Sequence, residues 1–185
     1  LTSEAAQSRP NGQTTIDKLR IYMLQKDGQT NAVVESPRCF FDYLTRRVWS
    51  DQSLTVATLN RRFFIEGVGF QWLPSKTNTS LTISNKVHTL IQREERRGTN
   101  STQAAPPMMD IRARRFQFDF ASSEAIYEGD VLVTDAPRLS LACDRLLARQ
   151  QLASNVLESA CATGNVLIDY RVGTNEVRLT GSQAI

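Results

Sequence analysis

The chain has 185 residues, 41% of them hydrophobic and 22% charged, and its 22 basic and 19 acidic side chains leave a formal charge of +3. This is the composition of a globular protein able to bury a substantial core, with a mean hydropathy of −0.33. No window approaches the ~18 consecutive apolar residues of a membrane-spanning helix. So small a positive excess is no argument for nucleic acid.

Residues 1–15 are polar, with Pro10 and Asn11-Gly12, and read as a mobile leader. Leu1-Thr2-Ser3-Glu4 has no signal-peptide character, so the sequence reads as a mature or trimmed form whose targeting segment has been removed. From Ile16 the pattern alternates, with Leu19, Ile21 and Met23 on one side and Ile16, Lys18 and Arg20 on the other. Period two predicts a strand with one buried face. Asp27-Gly28 is a hairpin signal, and strands are predicted over 31–35, 39–43, 53–58, 61–66, 68–73, 80–84 and 86–92. Pro37 limits pairing of the strand over 31–35.

Residues 93–109 are charged, then small and polar, then Pro106-Pro107. They predict a loop or linker between two β-rich units, 16–92 and 110–185. Strands resume over 111–120, 125–134, 138–149, 156–162, 166–170 and 176–180. Phe116, Phe118 and Phe120 share one face of the first. The segment 137–153 is ambiguous: Leu139, Ala142, Cys143, Leu146 and Leu147 also fit the spacing of an amphipathic helix. Many short strands with turn residues at the breaks indicate an all-β sandwich, barrel or roll.

One phrase repeats. Glu128-Gly129-Asp130-Val131-Leu132-Val133-Thr134 recurs as Thr163-Gly164-Asn165-Val166-Leu167-Ile168-Asp169, with a weaker echo in Ser84-Asn85-Lys86-Val87. Gly adopts positive φ freely, and Asp and Asn tolerate it better than most residues. Each pair therefore reads as a turn that reverses the chain between strands. Repeated strand-and-turn units build a surface or groove, which points to binding or scaffolding.

Catalytic signatures are missing from the sequence. It holds no Gly-Xaa-Ser-Xaa-Gly elbow, HExxH motif or P-loop. His88 is a lone histidine, and a catalytic base is its weakest reading. Cys39, Cys143 and Cys161 are too widely spaced for a zinc ribbon or a CxxC pair. Cys143 and Cys161 read as buried thiols or as a pair that meets. Two basic clusters, Arg93/Arg96/Arg97 and Arg112/Arg114/Arg115, read as a solvated rim or as a patch for phosphorylated head groups.

In the second half, Ala125-Ile126-Tyr127-Glu128-Gly129-Asp130-Val131-Leu132-Val133, then Leu139-Ser140-Leu141-Ala142-Cys143-Asp144-Arg145-Leu146, then Ala162-Thr163-Gly164-Asn165-Val166 follow in order. This order resembles the OstA-like domain of the periplasmic lipopolysaccharide-transport proteins, a family that includes the LptA bridge and the membrane-anchored LptC. The likeness covers about residues 110–185. The first half, through Ala32-Val33-Val34-Glu35, Glu66-Gly67-Val68-Gly69-Phe70 and Leu81-Thr82-Ile83-Ser84-Asn85-Lys86, looks like a diverged second copy.

The resemblance implies a β-jelly roll, a V-shaped folded antiparallel sheet in two tandem or fused copies, with 138–149 extended. It implies a non-catalytic periplasmic protein that needs no cofactor. Its partners would be lipopolysaccharide or a similar amphipathic lipid and other β-jelly-roll domains joined by edge-strand pairing, with membrane association through a removed N-terminal segment. The candidate lining is Val131, Val133, Leu139, Leu141, Val166, Ile168, Phe116 and Phe118, and the candidate head-group rim is Arg112, Arg114 and Arg115. Two alternatives stay open: a β-roll or β-helix scaffold or adhesion module without a lipid site, and a secreted carbohydrate-active β-protein.

Overall fold

Period-two alternation dominates the sequence, and the described elements are all strands. The computed structural model describes residues 5–8, 12–24, 30–60, 62–75, 79–92, 108–150, 157–173 and 175–185. The strands are β1 (Ala5–Ser8), β2 (Gln13–Leu24), β3 (Thr30–Asp42), β4 (Val48–Thr58), β5 (Phe63–Leu73), β6 (Ser80–Gln92), β7 (Met108–Ala113), β8 (Arg115–Asp119), β9 (Glu124–Asp135), β10 (Leu139–Gln150), β11 (Leu157–Val172) and β12 (Asn175–Ala184). All pair antiparallel in one sheet, in chain order. β7 and β8 are two halves of one strand broken at Arg114, and each half lies between β6 and β9.

The chain is all-β, as expected, and 138–149 is extended, since β10 pairs with both β9 and β11. The helical spacing in that segment is a by-product of a break in the strand. Cys143 faces the core before the break and Leu146 after it, so apolar positions fall three and four apart without a helix. β6 pairs with β7 and β8, so the sheet continues across residues 93–107, which lie outside the described residues, as do Arg93, Arg96, Arg97 and Asp27-Gly28.

Two expectations are corrected. The first concerns the Gly-Asp and Gly-Asn pairs, which do not reverse the chain. Gly129 (φ 77°) and Asp130 (φ 51°) lie in the middle of β9, and Gly164 (φ 74°) and Asn165 (φ 47°) in the middle of β11. In the weaker echo, Lys86 has φ 52° in the middle of β6. Segments read as separate strands, such as 61–66 and 68–73, are single strands crossed by a bulge. A left-handed pair inside a strand adds one residue relative to its neighbour. From Glu128 to Val131 β9 advances three residues while β10 moves two, from Arg145 to Cys143. Two residues opposing one bend a strand.

These irregularities stack across the sheet. Register shifts lie at Glu35/Phe40, Ser50/Ser53, Glu66/Val68, Cys143/Arg145 and Thr163/Val166. They form a line that divides the sheet into two halves. One half carries aromatic residues of the core, Phe70, Phe116 and Tyr127; the other is mostly aliphatic, with Leu54, Ile65, Val87 and Val131. Both contribute the same face to one core cluster.

The second correction concerns residues 1–15. Ala5–Ser8 is a strand on β2, with Ser8 opposite Thr14, and β2 itself starts at Gln13. Polar side chains there did not preclude pairing, because β1 is an exposed edge whose backbone supplies the bonds.

Candidate functional site

The inner face is defined by one row of residues running perpendicular to the strands. It passes from Ile21 on β2 through Val34, Val56 and Ile65 to Thr89 on β6. It continues through Ile111, Val133, Leu141 and Ile168 to Leu179 on β12. Thr89 is the one polar member. It is fully buried, and its hydroxyl oxygen accepts from the Tyr127 hydroxyl at 3.3 Å. That bond joins the two halves of the sheet.

Exposure grows along this row towards the C-terminal edge. Ile65 and Val133 are 1% and 4% exposed, Leu141 and Ile168 are half-buried, and Leu179 is 55% exposed. In the next row Val177 faces Tyr170, and both are 44% exposed. β12 pairs only with β11 among the described residues, so no strand covers its outer side there. The interior is thus closed between β2 and β9 and open beyond β10.

The expected lining residues share this interior. Val131, Val133, Val166 and Phe116 are buried in the core; Leu141, Ile168 and Phe118 pack against it half-buried. Leu139 is half-buried at the strand end, opposite Asp135 and Tyr170. Val133, Leu141 and Ile168 are cross-strand neighbours, whereas Phe116 and Phe118 belong to the other half. Two polar groups also face inwards at the aromatic end: Trp72 Nε1 and Thr14 Oγ1 are buried without a hydrogen-bond partner.

The expected rim arginines are placed elsewhere. Arg112 is in register with His88 and the exposed Leu132, on the face turned away from the core. Arg114 and Arg115 lie beside the line of register shifts, at the break between β7 and β8. Each has a carboxylate partner: Arg112 with Asp110 at 3.3 Å, Arg114 with Asp130 at 2.5 Å, Arg115 with Glu128 at 3.6 Å. Asp130 raises the pKa of Arg114 by a hydrogen bond to its guanidinium. These side chains do not converge at an open end of the interior.

Arg114 and Asp144 have another role. A Cβ at Gly129 would lie 2.9 Å from Arg114 Cβ, and one at Gly164 would lie 2.9 Å from Asp144 Cβ. Asp144 also accepts from Asn165 Nδ2 at 2.9 Å. Each left-handed pair is therefore clasped by a side chain of the adjoining strand. The need for glycine at 129 and 164 is steric as well as conformational.

His88 stands between two carboxylates on the outer face. Its Nδ1 lies 3.3 Å from Glu66 Oε1 and its Nε2 lies 3.0 Å from Asp110 Oδ2. Both ring nitrogens are engaged. Cys143 is buried, and burial raises its pKa. Cys161 precedes the buried Ala162 and accepts from Gln183 at 3.4 Å on the opposite face. The two sulfurs are on different faces of the sheet and do not meet.

Sequence reasoning missed three features of the interior: Thr89, Tyr127 and the row through β2 to β7. The signal was present as alternation in 19–23 and 87–91, but reading each strand alone did not connect them. Compared with known proteins, the chain matches no family model and no curated protein sequence.

Proposed function

We propose that this is a non-catalytic lipid-binding protein, an OstA-like folded sheet that holds acyl chains of lipopolysaccharide or a similar amphipathic lipid against its inner face. The observation that carries the reading is the apolar inner row that continues past the packed core to Leu179, where it is 55% exposed. Acyl chains laid along Leu141, Ile168, Val177 and Leu179 would be desolvated at about 0.8 kcal/mol per buried CH₂. On this reading the protein works in the periplasm of a two-membrane envelope. Its uncovered β12 edge pairs with a neighbouring β-domain.

The test is mass spectrometry of an organic extract of the purified protein, with displacement of a fluorescent fatty-acid probe from the delipidated form. The expected result is an acylated amphiphile and a saturable probe signal that Leu179→Lys lowers. Neither lipid nor saturable probe binding would defeat the proposal.

A second reading, a scaffold without a lipid site, is favoured by the closed packing between β2 and β9, where Leu54 and Ile83 are 0% exposed. On that reading Val177 and Leu179 are contact residues for the next β-domain. Loss of association in Leu179→Lys with no lipid in the extract would select it.

A further inference from the structure

At the aromatic end of the sheet, the turn joining β3 to β4 projects apolar and basic side chains into solvent. Tyr43 is 60% exposed and Leu44 is 91% exposed. The turn is held rigidly. Asp42 Oδ1 accepts from the backbone N–H of Leu44 at 2.8 Å and of Thr45 at 2.9 Å, and Asp42 N–H donates to the Arg47 carbonyl at 3.0 Å. Its base is aromatic: Tyr43 packs edge-on against Phe41 with ring centroids 4.9 Å apart.

The charge pattern of this turn differs from that of the strands. Arginines on the outer face pair with carboxylates, as Arg20 does with Glu35, Arg38 with Asp17 and Arg178 with Asp169. Arg46 and Arg47 are exposed, and neither forms an ion pair among the described residues. Arg47 lies over the Trp49 ring at 5.1 Å, and Asp42, which Arg47 influences through its charge, accepts from the backbone of the turn rather than from a guanidinium. A leucine tip, a tyrosine beside it and two exposed arginines next in the chain match the layers of a bilayer surface. The leucine fits the acyl boundary, the tyrosine the interface, and the cations the anionic head groups.

We propose that the β3–β4 turn is a docking point for an anionic phospholipid surface, which orients this end of the sheet towards a membrane. The proposal is independent of a lipid in the interior. A single turn supplies weak, reversible binding, and its dependence on anionic lipid is the diagnostic.

The test is co-sedimentation of the full chain with phosphatidylcholine vesicles with and without phosphatidylglycerol. Arg46 has φ 56°, so Arg46→Asn removes the charge at a residue type that tolerates this backbone. The wild type is expected to bind anionic vesicles, with partitioning about tenfold lower in the double variant Leu44→Ser/Arg46→Asn. Leu59→Ser, at an exposed apolar residue of the β4–β5 turn at the opposite end of the sheet, is the control and should bind as wild type. Trp49 and Trp72 both lie in strands of the aromatic end, so bound protein should be quenched by brominated lipid. The proposal is overturned by equal binding to neutral vesicles or none to anionic ones. It is also overturned by an unaffected double variant, an equal loss in Leu59→Ser, or bound protein without quenching.

Discussion

Tyr127 and Thr89 meet across the line of register shifts in the sheet, hydroxyl to hydroxyl at 3.3 Å. They come from β9 and β6, on opposite sides of the line of irregularities, and both are buried. Packing alone is non-directional, and a folded sheet lined by aliphatic residues has no strong preference for one sliding position over another. A buried polar pair that must be satisfied supplies that preference.

Tyr127→Phe should therefore destabilise the protein by ~1–3 kcal/mol, because it leaves the Thr89 hydroxyl buried without its partner. Adding Thr89→Val should recover part of the loss. Urea unfolding of both single variants and the double variant measures the coupling. Simple additivity would show that the bond contributes nothing specific.

Stability should fall at alkaline pH. Burial pushes the Tyr127 hydroxyl from its ordinary 10.0 to about 12, and burial, with Asp17 adding to it, pushes Cys39 from 9.0 to about 12. Both folded values lie above the unfolded ones, so the unfolded chain loses its protons first. Stability is full below pH 9 and is lost as pH rises towards 12. Tyr127→Phe should flatten the part of the decline above pH 10. Melting temperatures from pH 8 upwards test this, and an unchanged slope in the variant would refute it.

Gly164→Ala should cost more than Gly173→Ala. Both glycines have positive φ, 74° and 60°, so both substitutions incur a backbone penalty of ~1–2 kcal/mol. Only the first drives a methyl group into Asp144, since the space around Gly173 is open. Gly164→Ala combined with Asp144→Gly should regain the steric part, because the clash includes Asp144 Cβ as well as its carboxyl group. Thermal unfolding of the three variants resolves the two contributions.

Val133→Asp and Leu179→Lys lie in the same inner row but should behave differently. The first buries an unpaired charge at a residue 4% exposed and should cost several kcal/mol. The second substitutes a residue 55% exposed and should leave stability within about 0.5 kcal/mol of wild type. It should still reduce probe binding. Equal destabilisation by both would mean that the β12 end of the row is as closed as its centre.

The β12 edge should be reactive between molecules. A cysteine at Arg178, in a chain whose own cysteines are replaced, should give cross-links to a neighbouring β-domain that rise with concentration. Solely intramolecular products would exclude the edge as an assembly surface.

The fold class was readable because each strand keeps apolar residues on one face, as Leu19, Ile21 and Met23 do. The extended state of β10 came through a resemblance, because Leu146 and Cys143 imitate helical spacing locally. The meaning of Gly129-Asp130 and Gly164-Asn165 was not readable. A left-handed pair serves a hairpin or a bulge equally well, and the distinction lies in whether the flanking strands pair with each other or with third strands. Arg112, Arg114 and Arg115 looked like a patch because their partners Asp110, Glu128 and Asp130 approach through pairing with β9 or within β7. The core-facing placement of Val131, Val133, Val166 and Phe116 was readable because each follows the alternation of its own strand.

The neighbour-only pairing order has a consequence for size. A sheet whose strands bond in chain order, with β7 and β8 together filling one place, has no intrinsic length, unlike a barrel whose first and last strands must meet. A hairpin gained or lost at β11–β12 would leave the remaining pairings intact and shift the open end by two strands. The span of the apolar row is therefore adjustable in steps of one hairpin, and chains of different length built on this pattern would offer the same kind of surface over different distances.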